Sequence, residues 1–289
     1  MNYPAKSIPN LHLPNRRIKV GRIRYINVAP IYFGLDNGLL PPWMKLVNHP
    51  PSSLNRMLAQ GLLDVSPVST AAYASNFKEW SIVPDNSISC FGNAVSVIVA
   101  SKRPFDELHN KKVLLTDESA SAAALLKLLF AMRGVRPHFI KTPLKNPDSV
   151  KKEADAALVI GNAAISEPWA DNFEFIQDLG AMGKEATGLP FVFAVVAVRK
   201  DFAEKYPEAV AAIARLFKIS RQDGERNLKM IARRSASVLK LSAEFCESYH
   251  KTLHYDLTPQ KIFGLKTFFE YLHKFEIIPE RALISFFRR

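Results

Sequence analysis

Apolar and polar positions along this chain follow two periods, and the switches between them mark its elements. Ile18, Val20 and Ile23 lie in a short β-like run closing at Tyr25-Ile26-Asn27, and Pro30 then sits in the first turn of a helix reaching Gly38. The unit recurs. Lys45 to Val47 reads as a strand, Ser52 as the cap of a helix ending at Gly61, Val65 to Val68 as a strand and Ser69 as the next cap. Ala94 to Ala100 and Lys112 to Thr116 are β-rich, and Ser119 opens an alanine- and leucine-rich helix to Met132. Ala156 to Ile160 is an apolar strand leading into Asn162; Phe173 to Gln177 and Phe191 to Val198 are two more. Strands interleaved with helices predict an α/β protein whose mainly parallel sheet is buried on both faces. Beyond Phe202 the period becomes helical over Pro207–Asn227, Leu228–Leu239, Ser242–Leu253 and Pro259–Phe275, with Ser242 and Thr258 at cap positions. Pro4, Pro9 and Pro14 break up residues 1–16 into an arm or extended strap.

Composition fits a globular chain: 48% of 289 residues are hydrophobic and 23% charged. The net charge of +12 changes the picture until it is located. Residues 1–24 carry six basic and no acidic side chains, and residues 199–289 carry eighteen basic against eleven acidic. Tyr25 to Val198, with fifteen basic and sixteen acidic residues, is nearly neutral. No run of five like charges, aromatic-interleaved basic stripe, finger or zipper pattern accompanies the excess, so no nucleic acid partner is expected. Cys90 and Cys246 share no metal or redox spacing and read as small core residues. No stretch of about 18 apolar residues predicts a membrane span, and the opening residues hold no apolar segment of signal-peptide length; the reading is cytoplasmic.

Motifs for nucleotides, zinc proteases and serine hydrolases are missing, so no cofactor is expected. Histidines 12, 49, 109, 138, 250, 254 and 273 are scattered; His250 and His254, four apart, read as a surface pair, and no metal site is expected. The informative positions are small polar residues at the carboxyl ends of strands: Asn27, Ser69, Thr116 with Ser119 and Ser121, and Gly161-Asn162. In open α/β sheets that edge faces the ligand crevice, and a helix starting there presents free N–H groups to an anion. Each is also an ordinary helix cap. Ser96 interrupts the apolar run from Ala94 to Val99, where a hydroxyl needs a partner or a pocket. Thr187 to Ala194 combines a turn with an aromatic strand that walls a pocket or joins the core.

At these residues the sequence resembles the chorismate dehydratase family of the futalosine route to menaquinone, a branch of the type II periplasmic-binding-protein fold. The matching pieces run in family order: Gly21 to Pro30, Gly61 to Ser69, Val95-Ser96-Val97, Leu115 to Ser121, Leu158 to Ala164 and Thr187 to Ala194. The resemblance implies an α/β fold of two lobes with a ligand cleft between them and a helical carboxyl-terminal tail. The first lobe would hold residues 17–101 and 198–289, and the second residues 102–197. It implies a hydro-lyase removing water from chorismate, a small dicarboxylate, to give 3-[(1-carboxyvinyl)oxy]benzoate. Asn27 and Ser96 carry over as catalytic residues and Thr116, Ser119 and Ser121 as carboxylate binders, with Tyr25, Ser69, Gly161 and Asn162 completing the substrate-binding set.

The motif set holds no general base, since Asn, Ser and Thr do not remove a carbon-bound proton near neutral pH; a substrate carboxylate is the expected acceptor. The chain departs from the family pattern in three places. Asn162 stands where Asp is usual, Asp178 to Gly183 lacks a nearby Trp, and Val196 replaces an aromatic. Two other readings stay open: a small-carboxylate binding protein or sensor of the same fold, and the sister enzyme that makes 1,4-dihydroxy-6-naphthoate. The Ser-Pro-Cys-Pro-Asn-Asp-type opening of the latter is absent here.

Overall fold

Two mixed sheets, each with a parallel three-stranded half, form the frame. The structure is a computed structural model and describes residues 12–144 and 146–288. Most of the amino-terminal arm therefore lies outside the described residues. Its end lies against the first sheet, where Arg16 donates two 2.7 Å hydrogen bonds to the buried Asp64 carboxylate.

In chain order, β1 (Ile18–Ile23), α1 (Ala29–Gly34), β2 (Met44–His49), α2 (Pro51–Ala59), β3 (Val65–Ser69), α3 (Thr70–Ser75) and β4 (Trp80–Cys90) build the first sheet and its cover. The chain then crosses to β5 (Val97–Ser101), β6 (Lys112–Thr116), α4 (Ala120–Met132), β7 (His138–Thr142), α5 (Pro147–Glu153) and β8 (Ala156–Ile160). α6 (Gly161–Ser166), α7 (Trp169–Asn172), β9 (Phe175–Asp178) and α8 (Leu179–Thr187) complete the second unit. β10 (Phe191–Arg199) returns to the first sheet. It is followed by α9 (Lys200–Lys205), α10 (Pro207–Arg226), α11 (Leu228–Leu239), α12 (Ala243–Thr252), β11 (Leu253–His254) and α13 (Pro259–Lys274).

The strand orders are β11-β4-β10-β3-β1-β2 and β7-β6-β8-β5-β9. β2, β1 and β3 run parallel, as do β7, β6 and β8, but β10 and β5 are antiparallel to the strands they join. The expected mainly parallel sheet is thus two mixed ones, because the strand arriving from the other lobe inserts in the opposite direction. Sheet membership also moves the expected lobe limits. Val97–Ser101 pairs with β8 and β9 of the second lobe, and Phe191–Arg199 with β3 and β4 of the first.

Two local expectations shift as well. Pro51 takes the first helical position of α2, where its fixed φ and missing N–H cost nothing, so Ser52 lies inside the first turn and caps nothing. The run expected as a strand from Ala94 starts only at Val97. The carboxyl-terminal helices pack on the first lobe. Gly224 of α10 lies so close to Pro30 that a Cβ would sit 2.1 Å from its carbonyl oxygen, which brings α10 onto α1. One apolar core runs through both lobes, and a smaller cluster around Ile98, Leu114, Val159 and Trp169 fills the far side of the second sheet.

Candidate functional site

A narrow cleft opens between the lobes. Tyr25, Asn27, Ser69, Phe193 and Ala194 line it from the first lobe, and Ser96, Val97, Ser119, Ile160 and Gly161 from the crossover and second lobe. Leu253, from the carboxyl-terminal part of the chain, closes one side. Six of the nine sequence-derived candidates therefore meet in one cavity: Tyr25, Asn27, Ser69, Ser96, Ser119 and Gly161.

Ser96 is presented by a strained turn. Val95 has φ +63°, a left-handed value that is rare for a β-branched residue, and the Ser96 N–H closes a three-residue γ-turn onto Ala94 O at 2.7 Å. Such backbone persists only where its surroundings hold it. Asp178, the cap of α8, is the holder: its carboxylate accepts from the N–H of Ala94, Val95, Gly180 and Ala181 at 2.6–3.0 Å. The Ser96 hydroxyl, 3% exposed, donates to Ala94 O at 3.4 Å.

Asn27 sits in a short 3-10 turn (Ile26–Val28) between β1 and α1. Among the described residues its buried side-chain oxygen has no hydrogen-bond partner, which leaves it able to accept from a ligand or water. Ser69 Oγ caps α3 by accepting from Ala72 N, and Asn55 brackets it, donating to Ser69 Oγ and accepting from Ser69 N at 3.1 Å each. Ser119 Oγ caps α4 through Ala122 N. Two helix starts, with their positive dipole ends, thus face the cleft. Gly161 holds φ +66°, and a Cβ there would meet the Tyr25 ring at 3.0 Å. That close approach lets the Tyr25 hydroxyl reach across and donate to Glu118. Burial and Glu118 together push the Tyr25 phenol far above its ordinary value, so it stays a donor.

Three candidates lie outside the cavity. Ser121 turns away and joins the lobes: its Oγ accepts from Ala71 N at 3.0 Å and lies 2.9 Å from Thr70 Oγ1. Thr116 Oγ1 accepts from Glu118 N and shapes the loop after β6. Asn162 accepts from Ile26 N at 3.3 Å, another bond between the lobes. Sequence reasoning missed Asn55, Glu118, Asp178, Tyr249 and Leu253. Only Asp178 carried a local signal, as an Asp in the cap position before Leu-Gly-Ala.

Apart from the Tyr25 phenol, no cavity-lining residue among the described residues is ionisable. Among the described residues no group of three His, Cys, Asp or Glu side chains is arranged for a metal. The expected His250/His254 surface pair is replaced by a buried His250, near Ser235 Oγ (3.0 Å) and Tyr255 OH (3.4 Å), and a His254 that lies outside α12. Both cysteines are free and buried.

A family sequence profile described as menaquinone biosynthesis matches residues 18–274. The chain belongs to this menaquinone biosynthesis family. It is 30% identical over 268 residues to chorismate dehydratase of Thermus thermophilus, covering 88% of this chain and 94% of that one. To the 1,4-dihydroxy-6-naphtoate synthase of the same organism it is 27% identical over 176 residues, 60% of this chain and 63% of the relative. Among solved structures, protein AF1704 of Archaeoglobus fulgidus superposes with a TM-score of 0.76 at 19% identity, covering 91% and 99% of the two chains. The alkanesulfonate-binding protein SsuA of Xanthomonas axonopodis pv. citri, bound to MOPS, gives 0.66 at 14%, covering 94% and 97%. These likenesses establish the periplasmic-binding-protein fold.

Against this family background the three sequence departures have local accounts. The Asn162 amide oxygen keeps the bond to Ile26 N that a carboxylate in that place could also make, while removing a charge beside Tyr25. Val196 is buried in β10 opposite Pro67, away from the cavity lining. In α8, Met182 is buried and Gly183 lies against Leu125 of α4.

Proposed function

We propose that this chain is a chorismate dehydratase of the futalosine route, working in the cytoplasm: it eliminates water from chorismate to give 3-[(1-carboxyvinyl)oxy]benzoate. The observation that carries the reading is the meeting of Asn27 and Ser96 in one cavity whose lining, among the described residues, holds no carboxylate or imidazole. A site without a general base suits a substrate that brings its own. In the elimination the ring C–H bond breaks and its electron pair becomes a ring π bond. The C–O bond breaks with its pair on the oxygen, and the proton taken by a substrate carboxylate completes the water. Aromaticity drives the step. The protein supplies geometry: Asn27 and Ser96 hold the ring and the departing hydroxyl, and the Ser69 hydroxyl and the helix start at Ser119 receive carboxylates.

The relative named chorismate dehydratase supports this reading over non-catalytic binding. Purified protein mixed with chorismate should produce the ultraviolet signature of aromatisation, and Asn27→Ala should lower kcat by about 10²-fold or more. Binding without turnover would favour the sensor reading, and full turnover by Asn27→Ala would remove Asn27 from the chemistry.

A further inference from the structure

Ser96 is met from its buried side by the carboxyl-terminal helices. Tyr249, on α12, is 2% exposed and donates its hydroxyl proton to Ser96 Oγ at 3.0 Å. A serine hydroxyl has one proton, so when it accepts from Tyr249 its own proton points elsewhere. Among the described residues that proton reaches only Ala94 O at 3.4 Å, beyond the ordinary O–H···O range of roughly 2.5–3.0 Å. Ala94 O already accepts from Ser96 N at 2.7 Å. The Ser96 proton is thus weakly held at the wall of the cavity, and a ligand oxygen can take it over at little cost. Burial pushes the Tyr249 phenol well above its ordinary value, so it remains a donor throughout the neutral range.

We propose that Tyr249 is a positioning residue that fixes Ser96 Oγ as an acceptor on its buried side and so directs the Ser96 proton at the departing hydroxyl. This rests on the dehydration assigned to the cleft above. Neither residue transfers a proton in the balance given there; the Tyr249-to-Ser96 chain polarises and strengthens the hydrogen bond to the leaving oxygen. A tyrosine that only filled the core would show its loss regardless of Ser96.

The test is a double-mutant cycle in the chorismate aromatisation assay, using Tyr249→Phe, Ser96→Ala and the pair. Tyr249→Phe should lower kcat by about tenfold or more with KM changed less than about threefold, and should cost under about twofold when added to Ser96→Ala. Wild-type kcat in Tyr249→Phe, or an equal loss in the Ser96→Ala background, would overturn the proposal. A wild-type protein inactive on chorismate would instead defeat the dehydration reading. The positioning is then judged by the Ser96 rotamer in crystal structures of wild type and Tyr249→Phe: a turned hydroxyl sustains it, an unmoved one overturns it.

Discussion

Replacing Asp178 by Asn tests the strained turn that presents Ser96, because the two side chains have nearly the same shape and differ in what one atom can do. In the wild type, Oδ1 accepts from Ala94, Gly180 and Ala181 at 2.8–3.0 Å and Oδ2 accepts from Val95 N at 2.6 Å. An amide keeps the three bonds only by placing its NH₂ against the Val95 N–H, a donor facing a donor. The flipped amide loses three bonds to keep one. The better choice still forfeits one charge-assisted bond, about 1.5–3 kcal/mol, and leaves Val95 free to leave its positive φ. For a chain of this size that corresponds to a fall in Tm of roughly 2.5–5 °C. Calorimetry reads the stability and the aromatisation assay reads kcat, which should fall with it as Ser96 moves. Asp178→Asn melting within about 1 °C of wild type at unchanged kcat would refute the claim that this carboxylate holds the turn.

Two further outcomes follow from the geometry. Gly161→Ala forces a side chain into φ +66°, costing about 1–2 kcal/mol, and presses a methyl on the Tyr25 ring; thermal melts should show lower stability and chorismate titrations a raised KM, and an unchanged KM would detach Tyr25 from the cleft. Burial holds the His250 imidazole down at about 4. The folded value lies below the unfolded 6.5, so stability is complete above about pH 6.5 and falls by about 3 kcal/mol as pH drops toward 4; urea melts at both ends should lose that slope in His250→Gln.

Much of the fold is legible where local rules act alone. Ser119 and the apolar run to Met132 give α4 its limits, and Lys112–Thr116 and Ala156–Ile160 are strands residue for residue, because cap chemistry and apolar runs need no distant partner. β4 is illegible for the opposite reason. Its Ser81, Pro84, Asp85, Asn86, Ser87 and Ser89 give no alternation, and the serine hydroxyls of its second half are satisfied by Asp256 O and His254 O, far along the chain. The candidate site divides in the same way. Strand-end residues are findable by type, but Ser119 caps α4 from outside the helix while Ser121 lies in its first turn, bonded to Thr70 and Ala71. Tyr249 is 153 residues from Ser96, and nothing near either residue announces the other.

On the proposed reading, the neutral lining of the cleft becomes a requirement of the chemistry. The chain carries a net charge of +12, yet among the described residues no Lys or Arg lines the cavity. A guanidinium or ammonium beside the substrate would bind its carboxylate more tightly, and would also lower that carboxylate's pKa by about 1–3 units. A carboxylate that has to accept a carbon-bound proton loses reactivity in proportion. Helix starts offer a milder field, typically about 0.3–1 kcal/mol and up to about 2 in partly buried settings. The one capped by Ser119 can hold an anion while leaving it basic. Neutral donors at Asn27 and Ser96 follow the same logic: they engage the developing charge on the departing oxygen without neutralising the base that starts the reaction.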